Sequence, residues 1–422
     1  MPAAETVRPL SLAQSKELFE TLTFHAHAAL AVSGGSDSTA LMWLASRWAR
    51  AVARPPKISV LTVDHGLRPE AALECVRVVG WAVELGLAAH ILTWRGERPS
   101  SGLQASARDM RYGLMRDWCL ANEATLLVTA HTLEDQAETL LMRLARGSGI
   151  RGLSGMRPEE GGPVRLERPL LETSRAQLRA TLTAAGQSWI EDPSNADERF
   201  ERVRLRKAEP LLTELGLTPI ALARSAARLG RALEPIEELG RSFLAQHVEV
   251  RPEGFAIVDL AHLRKLDDEI AIQVLERLLE RLGGGAAPRL MAVEALHHWL
   301  RRGEVQARTL SGCRIAQRKR QLLIGREAGR ISRAPVAIQP GESVLWDNRF
   351  RISVAGTGMP CEIVPARGLK LVRNRDIPAF VQESLPVLLA ENEIAAIPAL
   401  GNLGQSGWIG LQVTAEFQNI GL

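Results

Sequence analysis

The segment Ser33-Gly34-Gly35-Ser36-Asp37-Ser38 has the residue types and spacing of a phosphate-binding loop. It lies between a short apolar run, which predicts a buried strand, and an amphipathic run, which predicts a helix. The glycines let the backbone approach a ligand closely, while the serine hydroxyls and the first N–H groups of the helix can donate to an oligophosphate. Asp37 would repel that phosphate unless a divalent cation lay between them. We therefore expect a nucleotide site at residues 33 to 38, with a metal ion held at Asp37.

A second group of polar residues follows the fourth apolar run of the chain. Asp135 and Glu138 are three positions apart and Glu134 and Glu138 four apart, so the three carboxylates share one face of the expected helix. Like charges on one face repel each other unless a cation binds there. A solvated first turn, favoured by the helix dipole, would explain the same carboxylates without any ligand.

The elements that must position these residues alternate along the first half of the chain. Strand candidates at 28–32, 58–63, 89–94 and 125–130 are separated by helical patterns at 38–50, 70–87, 104–122 and 133–146. Such alternation predicts an α/β domain with a doubly wound, mostly parallel sheet. Ligands bind beyond the carboxyl ends of the strands in such sheets, which is where both polar groups lie.

The alternation weakens after about residue 195, and the length of 422 residues favours two or three domains. We expect a catalytic domain at 1–210, a mainly helical domain at 211–330 and a small α+β domain at 331–422. A glycine break at 283–285 separates two helices, a hairpin is expected at 304–325, and short strands are expected at 351–354 and 369–372.

Positive charge is concentrated in residues 301–333, which hold ten arginines or lysines and two acidic residues. Arg318 and Arg320 in this segment, and Arg204 and Arg206 in the basic run at 199–207, are candidate contacts to the phosphates of an RNA. A solvated basic surface is the alternative explanation.

Several classes of protein do not fit the sequence. No apolar run approaches the roughly 18 residues of a membrane span, and the N-terminus lacks the pattern of a secretory signal, so we expect a cytoplasmic protein. The four cysteines are far apart and predict reduced structural thiols. The GxGxxG match at 147–152 follows a helix rather than a strand, and the loop at 33–38 lacks the lysine of a Walker motif.

The loop SGGSDS resembles the signature of the PP-loop ATP pyrophosphatases, which cleave ATP between its α and β phosphates. Over about residues 25 to 210 the chain also resembles one subgroup, the tRNA(Ile)-lysidine synthetases. That resemblance rests on ordered motifs: SGGSDS at 33–38, VDHGLR at 63–68, ARDMRY at 107–112, AHTLEDQAETLLMRLARGSGIRGLSGM at 130–156, RPLLETSR at 168–175, WIEDPSN at 189–195 and RVRLR at 202–206. The segment 369–389 is similar to the family's C-terminal tRNA-binding domain.

The resemblance implies a fold of the adenine nucleotide α-hydrolase type, with ATP and Mg²⁺ as cofactors. It implies a carbon–nitrogen ligase that joins free lysine to C2 of the wobble cytidine of tRNA(Ile) with a CAU anticodon, through an adenylated cytidine and with release of pyrophosphate and AMP. Asp37 carries over as the metal and ATP residue, and Arg111 as a cationic clamp. Asp135 and Glu138 carry over as catalytic residues that bind lysine. His131 is a candidate general base for the lysine amine, or else binds nucleotide or caps the helix.

The chain departs from the family pattern at Thr132, Glu134 and Val203, which puts the roles of these positions in doubt. Two other interpretations stay open. One is another PP-loop enzyme, such as a tRNA thiolase, although the cysteine spacing argues against it, or a synthetase acting on a free metabolite. The other is a noncatalytic RNA-binding protein. A homodimer is compatible with the sequence, which does not decide the oligomeric state.

Overall fold

The computed structural model describes residues 7–64, 66, 70–94, 103–158, 162–191, 199, 201–285, 287–303, 306–356, 360–369, 376–400, 402–403 and 412–418. Parts of three predicted motifs lie outside the described residues: three positions of VDHGLR, the end of WIEDPSN from 192, and 370–375 within the C-terminal segment. Residues 370–372 of the strand expected at 369–372 therefore lie outside the described residues. The chain folds into two compact units, an N-terminal unit, Met1–Leu233, and a C-terminal unit, Glu234–Leu422. The predicted boundaries at 210 and 330 stay predictions.

A parallel sheet forms the centre of the N-terminal unit. Its strands are β1 (His27–Ala31), β2 (Lys57–Asp64), β3 (Ala88–Thr93), β4 (Leu126–Val128) and β5 (Arg165–Glu167). They lie in the order β3-β2-β1-β4-β5, and each neighbouring pair is parallel. The helices of this unit are α1 (Leu12–Leu18), α2 (Ser36–Arg50), α3 (Glu70–Glu84), α4 (Leu103–Ala121), α5 (Leu133–Ala145), α6 (Ile150–Leu153), α7 (Arg175–Ala185) and α8 (Glu201–Glu214).

Apolar side chains cover both faces of this sheet, because successive residues of a strand point to opposite sides. On one face, Leu30 of β1 packs in a core with Trp48 of α2 and Leu178 of α7. On the other, Ala29 of β1 packs with Met115 of α4. Helices on both faces confirm the predicted doubly wound α/β fold.

The four predicted strands and four predicted helices of this domain are confirmed, with ends shifted by at most three residues. The fifth strand, β5, was not predicted. It has only three residues, Arg165, Leu166 and Glu167, which is too short for its alternation of charged and apolar residues to predict a strand.

The middle of the chain is mainly helical, as predicted, but it also contributes strands. Its helices are α9 (Pro219–His247), α10 (Leu260–Leu263), α11 (Asp268–Leu282) and α12 (Leu290–Arg302). The sequence did not predict the hairpin of β6 (Val248–Arg251) and β7 (Phe255–Asp259). Its two short strands and tight turn lie between two helical segments. It joins β8 (Arg308–Leu310), β9 (Cys313–Arg318) and β10 (Gln321–Arg326) in an antiparallel sheet of order β6-β7-β10-β9-β8. The expected hairpin at 304–325 is therefore the larger part of a sheet.

The C-terminal part is α+β, as predicted, and its strands form two further antiparallel sheets. One contains β11 (Val336–Ile338), β14 (Cys361–Pro365), β15 (Pro386–Ala390), β16 (Glu393–Ile397) and β17 (Asn402–Leu403), and the other contains β12 (Ser343–Trp346), β13 (Phe350–Ala355) and β18 (Gln412–Phe417). One helical turn, α13 (Ala379–Gln382), precedes β15. The strand predicted at 351–354 is confirmed as β13.

Two expectations drawn from composition can be compared with the fold. The four cysteines are buried and form no disulfide, which confirms reduced thiols. Among the described residues, none of the helices is both long enough and apolar enough to cross a bilayer.

Candidate active site

The strand order places the two predicted polar groups side by side. Strand β1 has β2 as its neighbour on one side and β4 as its neighbour on the other. The segments that follow β1 and β4 therefore meet at the point where the strand order reverses. Crevices at such switch points are the usual ligand sites of doubly wound sheets. A cleft of about 660 Å³ opens here. Of the predicted site residues it is lined by Ser33, Gly35, Ser36, Asp37, Ser38, Arg111, His131, Asp135 and Arg206.

The loop after β1 is held in shape by its own hydrogen bonds. The Ser38 hydroxyl accepts from the Ser33 N–H at 3.2 Å and donates to the Gly35 carbonyl at 3.1 Å. Gly34 has φ +89°, and a Cβ there would come within 2.7 Å of Ile190 Cδ1. The Ile190 N–H also donates to the Gly34 carbonyl at 2.8 Å. The positive φ therefore favours glycine at position 34, and a side chain there would also have to displace the end of Ile190.

Helix α2 begins within this loop, at Ser36, and its N-terminus lines the cleft. Its N-cap is Gly35, which has no side chain to hydrogen-bond the first N–H groups. A bound anion could take those donors and would be favoured by the helix dipole. The loop and the helix N-terminus together offer the donors that a phosphate would need, and phosphate binding at this loop stays a prediction.

Asp37, in the first turn of α2, is a carboxylate in a poor environment for negative charge. Burial raises its pKa above the ordinary value, and the nearby carboxylates of Asp135 and Glu134 add to the effect, although Arg175 opposes it. The Arg175 Nε lies 3.5 Å from Asp37 Oδ2. A hard divalent cation would relieve this crowding, and carboxylate oxygens are the ligands that Mg²⁺ prefers. The side chain thus fits the metal site predicted for it.

The carboxylate of Asp135 is partly used by the helix that carries it. Thr132 is the N-cap of α5 and its hydroxyl accepts from the Asp135 N–H at 3.4 Å, while the Thr132 N–H donates to Asp135 Oδ2 at 2.9 Å. This reciprocal pair is a capping box. It fixes Oδ2 and leaves Oδ1 facing the neighbouring arginines.

Arg175, at the start of α7, joins the carboxylates into one network. Its guanidinium donates to Asp135 Oδ1 at 2.5 Å and to Glu138 Oε1 at 3.0 Å. Its backbone N–H is shared by the two oxygens of Glu134, at 3.1 and 3.0 Å. Burial alone would lower the pKa of Arg175, but Asp135 and then Glu138 outweigh it and raise that pKa. Burial would likewise raise the pKa of Asp135, yet Arg175, the Thr132 N–H and further cations hold it below the ordinary value.

Two arginines of α8 complete the network. Arg206 Nε donates to Glu138 Oε1 at 2.8 Å, and its Nη2 lies 3.8 Å from Asp135 Oδ1. Arg202 approaches the same two carboxylates at 3.8 and 4.0 Å. Glu138 lines a second cavity of about 20 Å³ beside Arg206. From the main cleft it is reached through Arg175 and Arg206, which line that cleft and contact it.

Arg111 and His131 also line the cleft. Arg111 is exposed and lies on α4. His131 is half-buried, and its Nδ1 is 2.9 Å from the Thr129 hydroxyl, which orients the ring. Both therefore lie where a ligand in the cleft could meet them.

The three departures from the family pattern have structural roles here. Thr132 caps α5, Glu134 accepts from the Arg175 N–H, and Val203 of α8 is buried with 6% of its surface exposed. The sequence assigned no role to Arg175 or Arg202, although each stands in a quoted motif. Their pairing with Asp135 and Glu138 joins residues far apart in the chain, so no local pattern could reveal it.

The remaining predicted residues lie outside the cleft. Arg204 is exposed on α8 and donates to the Arg199 carbonyl at 3.1 Å. Arg318 and Arg320 are exposed at the turn between β9 and β10, on either side of the exposed Lys319. By contrast, Arg326 in the same basic segment is buried against Asp347.

The chain is similar to known proteins over most of its length. A family model described as a PP-loop domain matches residues 9–212. A tRNA(Ile)-lysidine synthase of Bradyrhizobium diazoefficiens is 44% identical over 68% of this chain and 82% of its own length. One from Rhodopseudomonas palustris is 45% identical over 68% and 84%, and one from Ruegeria pomeroyi is 37% identical over 92% and 91%. These matches cover most of each relative's length, and the chain belongs to the tRNA(Ile)-lysidine synthase family.

Proposed function

We propose that this protein is an AMP-forming ligase that joins lysine to C2 of the wobble cytidine of tRNA(Ile) with a CAU anticodon. ATP first adenylates the cytidine and releases pyrophosphate, and lysine then displaces AMP. The observation that carries the proposal is the direct link between Asp37 of the phosphate loop and the Asp135–Glu138 pair through Arg175, at one end of a 660 Å³ cleft. ATP chemistry and amino-acid recognition would thereby share one site, in a protein acting in the cytoplasm.

The loop and its surroundings support the first step. Ser33, Ser36 and Ser38, with the N-terminus of α2, would hold the phosphates of ATP. A Mg²⁺ ion at Asp37 would neutralise charge that develops on those phosphates. Arg111, exposed on the same cleft, would add a further positive charge near the phosphate under attack.

The charge network supports binding of lysine in the second step. Asp135 and Glu138 are the acceptors for the ammonium groups of the amino acid, and the guanidiniums of Arg175 and Arg206 hold that place in this structure. An incoming zwitterion can exchange with such a pair, because its carboxylate replaces one partner and its ammonium the other. Because the carboxylates and guanidiniums of the network are already removed from water in the folded protein, lysine binding would not have to desolvate them again.

The lysine ε-amine must lose a proton before it attacks, since its ordinary pKa is about 10.4. His131 lines the cleft, and its ring is oriented by Thr129. We assign it the role of general base, and a substitution by glutamine would then reduce lysine transfer more at low pH than at high pH.

The tRNA would be held by cations outside the cleft. The turn between β9 and β10 presents Arg318, Lys319 and Arg320 as three consecutive exposed cations, and Arg204 is exposed on α8. Such contacts to phosphates position a nucleic acid without reading its sequence.

The cysteines do not favour a thiolase. Cys75 lines the cleft, but burial raises the pKa of its thiol, which opposes formation of a nucleophilic thiolate. Burial raises the pKa of Cys119 to about 11 and that of Cys313 to about 12. No two cysteines of the chain form a CxxC pair.

The test incubates the purified protein with ATP, Mg²⁺, labelled lysine and tRNA(Ile) transcripts that carry either CAU or UAU anticodons. We expect label on the RNA only with ATP and only with the CAU transcript. Retention of label by both transcripts, or pyrophosphate release without any lysine incorporation, would refute lysine ligation to the wobble cytidine. The Asp117→Asn variant, changed at an exposed carboxylate of α4, should incorporate lysine as the wild type does.

A further inference from the structure

A group of metal-binding residue types lies in the C-terminal unit, outside the cleft. It consists of His247 at the end of α9, Asp259 at the end of β7 and His262 in α10. One potential ligand atom from each side chain lies within 4.8 Å of the others. The proposed lysine ligation uses none of them.

The backbone fixes the relative positions of the three residues. In the β6–β7 hairpin Val248 pairs with Val258, so the next position outward sets His247 opposite Asp259. His262 is three residues after Asp259 along a helical turn, which brings it to the same side. The arrangement thus follows from hairpin register and helix start, and does not depend on long side chains meeting by chance.

The side chains are also held in place by their neighbours. Asp259 Oδ1 accepts from the N–H groups of Ala261 and His262 at 2.9 and 3.2 Å, and its Oδ2 accepts from His262 Nδ1 at 2.7 Å. The rings of His247 and His262 are stacked, with centroids 4.2 Å apart and planes 14° from parallel. The Phe243 ring packs against His247, with centroids 5.0 Å apart.

We propose that His247, Asp259 and His262 bind a divalent transition-metal ion of the zinc class. Two imidazoles and a carboxylate are the ligand set that Zn²⁺ accepts, with a fourth position left for water. Bonds of about 2.1 Å require ligand atoms roughly 3.4 Å apart. His262, whose side chain is 51% exposed, can turn out of the stack to reach that spacing without disturbing the core.

The bound ion would act as a clamp in the C-terminal unit. It would join the end of α9 to the far end of the hairpin and to α10, three elements that also share an apolar core containing Leu244, Val258 and Leu260. Because the ion binds the folded form, it would raise the melting temperature of the protein in a concentration-dependent way.

The test uses the full-length, tag-free protein after dialysis against a chelator. We expect the wild type to bind one Co²⁺ per chain with visible d–d absorption of tetrahedral or five-coordinate type, to bind Zn²⁺ in competition, and to melt at a higher temperature with Zn²⁺. His262→Gln and His247→Gln should each weaken Zn²⁺ binding at least about tenfold and remove the thermal shift. Their melting temperatures in chelator should match the wild type, which shows that they fold.

The matched control is His298→Gln, which removes an exposed histidine of α12 outside the group and should leave binding unchanged. Absence of stoichiometric binding by the wild type would overturn the proposal, as would equal affinity in the His262→Gln and wild-type proteins. Lysine incorporation is measured separately, so failure of the metal site leaves the proposed reaction untouched.

Discussion

Each unit contains a buried network of arginines and carboxylates. The two networks differ in the groups that accept hydrogen bonds from the arginines. In the N-terminal unit, Arg175 is paired with carboxylates of Asp37, Asp135 and Glu138 and faces a cleft. In the C-terminal unit, Arg326 and Arg349 share the single carboxylate of Asp347.

Backbone carbonyls supply further acceptors in the second network. Arg326 donates to the carbonyls of Gly283 and Gly312, and Arg349, whose side chain is fully buried, donates to the Ser384 carbonyl at 3.0 Å. Burial lowers the pKa of Arg349 to about 10 despite Asp347. Fixed backbone acceptors cannot exchange with a ligand, whereas side-chain carboxylates on a cleft can. We therefore expect changes in the first network to impair activity and changes in the second to impair stability.

The largest expected effect is that of Asp37→Asn in the cleft. Removing the proposed metal ligand should reduce pyrophosphate release at least about 1000-fold. Stability should not fall, because the raised pKa of Asp37 shows that the fold disfavours its charged form. Urea unfolding measures the stability and a pyrophosphate assay on the same preparation measures the activity, with Asp117→Asn as the control. A substantial loss of stability would place Asp37 with the structural network.

The next effect is that of Asp347→Asn in the C-terminal unit. Asp347 has φ +48°, a conformation that asparagine tolerates, so the change removes the charge without adding backbone strain. Two buried guanidiniums would lose their counter-charge, at a cost of about 3–5 kcal/mol in the free energy of unfolding. Denaturant titration measures it. Destabilisation below about 1 kcal/mol would mean that the backbone carbonyls suffice.

A smaller effect is expected from acid on the cleft network. Since the folded-state pKa of Asp135 is below its ordinary value of 3.8, its charge stabilises the fold above pH 3.8, and this contribution is lost as the pH falls through the folded pKa. The stability difference between wild type and Asp135→Asn should thus be constant near neutral pH and shrink below pH 3.8. Urea titrations across this range test it, and a difference that persists in acid would assign the effect to the capping box.

The smallest effect concerns exposed arginines, which belong to neither network. The double change Arg318→Ala with Arg320→Ala should weaken tRNA binding and make its dependence on salt shallower by about one to two in log–log slope. The matched double variant changes Arg228 and Arg231, which are exposed on α9. An unchanged slope in the first variant would leave the β9–β10 turn as ordinary surface.

Sequence patterns predicted the loop at residues 33 to 38 better than the charge network. Gly34, Gly35 and the serines are adjacent in the chain, and the strand and helix that flank them have clear periodicity. Arg175, which donates to Asp135, is 40 positions away from it, and their pairing depends on which strands are neighbours in the sheet. One local signal was overlooked: the Thr132-x-x-Asp135 spacing marks a helix start, and explains why one oxygen of Asp135 is used by the backbone.

Short strands were also predicted poorly from the sequence. The β6–β7 hairpin has four- and five-residue strands joined by a turn at Gly254, which has φ +78°, and it lies between two helical segments. Its second strand, β7, pairs with β10, a contact distant in sequence. Tertiary pairing, rather than local propensity, decides such segments.

The most direct test of the account is to measure both half-reactions of Glu138→Gln. The change removes a charge that contacts Arg175 and Arg206 but no predicted ATP residue. We predict tRNA-dependent pyrophosphate release within about threefold of wild type and lysine incorporation reduced at least about tenfold, with Glu214→Gln on the exposed end of α8 unchanged in both. Equal loss of the two steps would contradict the assignment of the Asp135–Glu138 network to lysine.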